Sequence, residues 1–225
     1  MSTLGALLRY QAALLMRSHR WLPPLLLYGA FMAIGVQAGQ PVLDSLGYAS
    51  AAVLPVAAWL VRICVTAEPD AARHCVFAAA GPARAHLASV LTALCAACVL
   101  GVAGALTVLA VADPHTASGG IEVSRGPAAL AGLLSTLTCA LFGTAVGALC
   151  NRPLLRGAGW AVPSTMLAAL LVLVAGVSPA NAAVSHLVVG SQTGRVTPPW
   201  PAALLALLVA AGCTALSCAV ARRRG

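Results

Sequence analysis

The chain is 225 residues long, 60% hydrophobic and only 8% charged, with a mean hydropathy of +0.94 and a net charge of +8. A soluble domain carries about 25% charged residues. This chain therefore has too little polar surface to cover a water-soluble globule and reads as an all-α integral membrane protein. All 13 basic residues are arginine, which excludes a Walker-type phosphate loop, whose lysine must reach the β- and γ-phosphates.

In chain order, residues 1–20 form a leader. Leu4, Leu7, Leu8, Ala12 and Leu15 recur at three- and four-residue spacing, which predicts an amphipathic helix over Leu4–Arg17 lying on the cytoplasmic membrane surface. A cleaved signal peptide ending near Val36-Gln37-Ala38 is the competing reading. The long polar leader and Pro23-Pro24 inside the apolar run weigh against it. Residues 21–225 form the transmembrane domain. About 20 residues cross roughly 30 Å of hydrocarbon. Six segments are candidate spans: Trp21–Gln37, Ser45–Val65, His86–Ala112, Pro127–Cys150, Trp160–Val177 and Trp200–Ala221. Breakers part them at Gln40-Pro41, Gly81-Pro82, Asp113-Pro114, Gly119-Gly120, Arg152-Pro153 and Pro198-Pro199.

Arginine placement orients this bundle. Arg9, Arg17 and Arg20, then Arg62, Arg73 and Arg84, then Arg152 and Arg156, then Arg222, Arg223 and Arg224 fall on one side. Arg125 and Arg195 alone fall on the other. The positive-inside rule puts the first side, with both termini, in the cytoplasm. These arginines border spans and do not interleave with stacking aromatics, so nucleic acid is not an expected partner. Trp21, Trp59, Trp160 and Trp200 sit near span ends, as an interfacial belt requires.

The spans are poor in chemistry. Asp44, Glu68, Asp70, Asp113 and Glu122 all lie outside the spans or at their edges, which disfavours proton relay and intramembrane hydrolysis. His19, His74, His86, His115 and His186 show no paired ligand spacing, so no metal is expected. Cys95 and Cys98 match CxxC but fall mid-span, where a thiol packs as a small hydrophobe. Gly143 and Gly147 form a GxxxG that permits close helix approach, and Gly101 and Gly104 are similar. Pro55 and Pro163 are expected to kink their helices.

The polar stretch 66–89 stands out between two spans. Glu68-Pro69-Asp70 reads as a helix start and Gly81-Pro82 as a stop, giving a short cytoplasmic helix at about 69–80. Asp70, Arg73, His74 and Phe77 share one face, opposite Ala72, Cys75, Val76 and Ala79. That polar face, with Phe77 at its centre, reads either as a docking knob or as the solvated side of an interfacial helix.

Six spans, an amphipathic leader, this helix after span two and a semi-apolar external segment before span six together resemble an ABC-2 type transporter permease, the membrane subunit of a bacterial ABC exporter. Locally, Glu68, then Val76-Phe77-Ala78-Ala79-Ala80, then Gly81-Pro82-Ala83-Arg84 are similar to the family's loop. The resemblance covers nearly the whole chain as architecture and about twenty residues as sequence pattern. It implies a plasma-membrane permease that docks a separate ATPase through Glu68, Asp70, Arg73, His74 and Phe77, with Arg84 at the rim. ATP and magnesium would then be bound by that partner, and this chain would hold no cofactor and hydrolyse nothing. A second permease copy or a paralogue, and membrane lipid, complete the implied partners. Export of a small amphipathic or hydrophobic substrate follows from the family alone. A non-transporting scaffold or accessory subunit is the alternative, and an intramembrane enzyme is a third reading, weakened by the missing groups at depth. In the external segment 178–199, Ala180–Val189 is too short to span and suits a re-entrant or interfacial helix, or a loop folded over the bundle.

Overall fold

The computed structural model describes residues 3–117, 121–154 and 158–224. The Gly119-Gly120 breaker and Arg156 lie outside them, and nothing is described of the Arg224 side chain. Among the described residues the regular structure is helical: α1 (Thr3–Arg17), α2 (Leu22–Gly35), α3 (Val42–Thr66), α4 (Asp70–Ala80), α5 (Pro82–Val111), α6 (Arg125–Cys150), α7 (Ala158–Val174), α8 (Pro179–Thr193) and α9 (Trp200–Arg224). The leader, the cytoplasmic helix and the six apolar segments of the sequence reading each correspond to one of these helices. The α8 segment is a helix, which decides between the two readings of 178–199.

Length divides the apolar helices. Four of them, α3, α5, α6 and α9, are long and apolar enough to cross a membrane, and a fifth crossing arises if α7 and α8, bent by 46°, make one broken span. Six crossings were expected. The difference lies in α2, which has 14 residues, and in α7, which stops at Val174 short of Gly176. At 1.5 Å per residue they reach only about 21 and 25 Å.

The α3 and α6 helices form the centre. Val53, Val56, Ala57, Ala58 and Val61 of α3 are fully buried, and the other helices are arranged around this pair. Close approach is set by glycine: a Cβ on Gly143 would strike the Leu54 carbonyl, and one on Gly147 would strike Val61 and the Ala58 carbonyl. The GxxxG thus has α3 as its partner. Ser50 Oγ donates to the Leu46 carbonyl at 2.7 Å, which leaves Thr136 to donate to Ser50 Oγ at 3.1 Å across the two helices. Gly104 of α5 receives the Tyr28 ring of α2. The Tyr28 hydroxyl donates to Ala49 O of α3 at 3.4 Å, so one side chain joins three helices.

The outer faces are apolar and open. Val99, Val102 and Leu106 of α5, and Leu204, Leu207 and Leu208 of α9, are exposed. Apolar area of this extent is what lipid covers, and water would not tolerate it in a monomeric soluble protein.

The helix ends gather into two poles. At one, Val42 N donates to Asp113 O, Asp113 N to Gln40 O and Ala117 N to Ser191 O, so the starts of α3 and α6 and the ends of α5 and α8 meet. At the other lie α1, α4, the start of α5 and the ends of α3, α6 and α9. Arg125 and Arg195 belong to the first pole. The remaining described arginines belong to the second, so the charge asymmetry of the sequence is also an asymmetry of the molecule.

Candidate functional site

At the arginine-rich pole, α4 is enclosed in polar contacts that the local sequence explains. Pro69 and Asp70 open the helix, and Gly81 closes it with φ +85°, a backbone that glycine adopts without strain. The Gly81 N–H donates to Phe77 O at 2.9 Å. Because Pro82 begins α5 directly, α4 is held at an elbow to a membrane-length helix.

Glu68 is a correction to the expected docking face. It is buried, 8% exposed, and its Oε1 accepts from Gln11 Nε2 of the leader at 3.1 Å. A carboxylate taken out of water needs donors of this kind. Tyr10 is a second partner, and its phenol is pushed above the ordinary value by burial first, then by the charge of Glu68 and the hydrogen bond to it. Glu68 therefore joins α1 to the α3–α4 junction and is not a surface contact. The leader's stripe of Leu7, Gln11 and Leu15 is buried, and α1 packs on α5.

The rest of the predicted face divides. Asp70, His74 and Arg84 are exposed. Arg73 and Phe77 turn inward and line a cleft of about 310 Å³ with Glu68, His74, His86 and Arg152. Phe77, half-buried, is thus also a wall of the protein's own cleft. With Arg73 and Phe77 turned inward, the exposed side of α4 combines Asp70 and His74 with Ala71, Cys75, Ala78 and Ala79. Arg73 donates to Asp70 Oδ1 at 3.2 Å and to the Glu68 carbonyl at 3.1 Å. Arg152, from the α6–α7 connection, reaches the same Asp70 oxygen at 3.5 Å.

Three residues here were missed or undervalued in the sequence. Asn151 is 1% exposed; it accepts from Arg62 NH1 at 3.0 Å and donates to Gly147 O at 2.8 Å, covering the end of α6 and tying it to α3. Arg152 counted only as a topology charge. His86 is a buried residue of α5 whose Nε2 lies 3.1 Å from Ser217 Oγ of α9. Because Ser217 Oγ donates to Thr214 O at 2.9 Å, His86 Nε2–H is the donor to Ser217. A histidine in the second turn of a helix opened by Gly81-Pro82 was the available signal for a buried polar contact.

The opposite pole is simpler. Ser178 accepts from Ala180 N at 3.2 Å to start α8, and Gly194, at φ +73°, ends it. Asn181 Nδ2 donates to Leu173 O at 2.7 Å, covering a carbonyl of α7 across the bend. The buried side of α8, with Leu187, lies on α3 at Gly47.

All eight cysteines are free thiols, and no cluster of three or more metal-ligating side chains occurs among the described residues. No family model, curated protein or solved structure matches the chain.

Proposed function

We propose that this chain is the permease subunit of an ATP-binding-cassette exporter of the ABC-2 type, working with a separate ATPase in a bacterial plasma membrane. The observation that carries the reading is α4: a short helix at the arginine-rich pole, joined by Gly81 to the membrane-length α5 and by the Glu68–Gln11 contact to the leader. A push on such a helix reaches α5 through an elbow one residue long, and reaches α1 through a buried hydrogen bond. The positive-inside rule supports a cytoplasmic position for this pole, where an ATPase would bind.

In this reading the bundle crosses six times, with α2 and α7 as short spans and α8 as a re-entrant helix. A helix below the bilayer thickness is accommodated by local thinning and by flanking Trp anchors, here Trp21 and Trp160. The contact surface is the exposed side of α4, Asp70 and His74 around Ala71, Cys75 and Ala78, with Arg84 at the start of α5 on its rim. Glu68, Arg73 and Phe77 transmit from behind it. The chain lacks the lysine of a phosphate loop, which agrees with a subunit that borrows its ATPase.

The test is purification from the native host in mild detergent. A P-loop ATPase is expected in equal amount with the wild-type chain and to be lost from a variant combining Asp70→Arg with His74→Ala. Absence of any ATPase from an intact bundle sinks the transporter reading in favour of a membrane scaffold.

A further inference from the structure

The cleft behind α4 is at the lower end of the range for ligand pockets, about 300–1,000 Å³, and its chemistry is divided. Arg73 and Arg152 form a polar side, His74, His86 and Ser89 stand near them, and Phe77 supplies an apolar wall. Both guanidinium groups reach one oxygen of Asp70, at 3.2 and 3.5 Å. They are therefore close enough for one multi-oxygen anion to bridge them, and each carries five N–H donors in a planar fork.

The acids at this pole do not cancel the arginines. Glu68 and Asp70 are the two carboxylates in this region, against Arg62, Arg73, Arg84 and Arg152 and the arginines of both termini. Glu68 is occupied by Gln11 and Tyr10. The Asp70 side chain, 76% exposed, holds the arginines from the rim, and the Glu68 carboxylate in the cleft wall is turned to its own donors. Ala85 of α5 and Ala221 of α9, both buried, extend the apolar side of the cleft wall beside Phe77.

We propose that this cleft binds a phosphate ester. Its oxygens bridge Arg73 and Arg152 while an adjoining apolar portion lies on Phe77, and the cytoplasmic-leaflet headgroup of an anionic phospholipid is the source that this division favours. Basic recesses between spans on the cytoplasmic side are suited to such headgroups. The site rests on the cytoplasmic placement of this pole and not on transport.

The test measures thermal midpoints of the purified full chain in neutral detergent. The added probes are phosphatidylglycerol, phosphatidylcholine, glycerol 3-phosphate and inorganic phosphate. Phosphatidylglycerol is expected to raise the midpoint of the wild type and phosphatidylcholine to leave it unchanged. Arg152→Gln should weaken the apparent affinity about tenfold, the loss of one charge-assisted hydrogen bond. Asp70→Asn, which removes the competing acid and keeps both arginines, should tighten it by up to about fivefold. Arg195→Gln, at the other pole, should bind as the wild type does. Stabilisation by glycerol 3-phosphate equal to that by phosphatidylglycerol, and above that by inorganic phosphate, upholds the site and makes a soluble ester its source, whereas an equal effect of inorganic phosphate overturns the ester assignment. No response to any phosphate, or a response that neither Arg152→Gln nor Asp70→Asn alters, overturns the site. Co-purification of an ATPase is read separately, so a failed lipid response and a failed transporter reading remain distinct results.

Discussion

Glu68 shows how one buried carboxylate organises a pole. Glu68→Ala leaves the Gln11 amide without its acceptor, at a cost of about 1–3 kcal/mol. Hydrogen exchange of the α1 amides should then rise about tenfold or more, while exchange within α3 and α6 stays slow. Tyr10 adds a pH dependence whose sign follows from its raised value. A phenol free in solution ionises near pH 10, and the docked one ionises higher. The contact is therefore fully present below about pH 10 and is lost as pH rises through the raised value. Exchange from α1 should increase in that alkaline window, and Tyr10→Phe should remove the increase. None of this was legible locally: Gln11 and Glu68 are 57 residues apart. One trace existed. Gln11 stands four residues from both Leu7 and Leu15, and a polar residue in an apolar helical stripe needs a partner when that stripe is buried.

Helix extents were far more legible than helix environments. Proline and glycine punctuate this chain so sharply that α4, α5, α6 and α9 begin within a few residues of the expected positions. Which face of α4 turns inward was not, because periodicity gives the composition of a face and not its direction. Half of the polar face that looked ready for a partner, Arg73 and Phe77, turns to the cleft, while Asp70 and His74 stay exposed. GxxxG marked closeness without naming its partner. With α3 identified, its cost can be stated. Gly143→Val presses a side chain on the Leu54 carbonyl, which cannot rotate away, and overpacking of this kind costs about 1–3 kcal/mol or more. Folded yield from detergent should fall sharply. Gly212→Leu on α9, where a Cβ meets nothing within 4 Å, should leave the yield unchanged.

At the scale of the whole molecule, the two poles make orientation measurable. In a chain whose other seven cysteines are replaced by serine or alanine, the exposed Cys75 of α4 should react with a membrane-impermeant maleimide in inverted vesicles and not in intact cells. His186→Cys on α8, placed in the same background with Cys75 also replaced, should show the reverse. Labelling of both from one side would defeat the six-span topology. Composition and arginine counting made the membrane class and the polarity legible from sequence. They could not weigh α2 and α7, because hydropathy continues past the residues where the helices stop.

The central pair has a consequence for how the protein is made. Both α3 and α6 are complete at Cys150, and the glycine contacts between them use nothing later in the chain. A nascent polypeptide emerges N-terminus first, so this seam can close before α9 has emerged. Helix α9, which packs mainly on α6 and α5, then arrives at a finished surface. Errors in the last helix should release a product that is already half built, whereas errors at Gly143 should be met by quality control at the translocon.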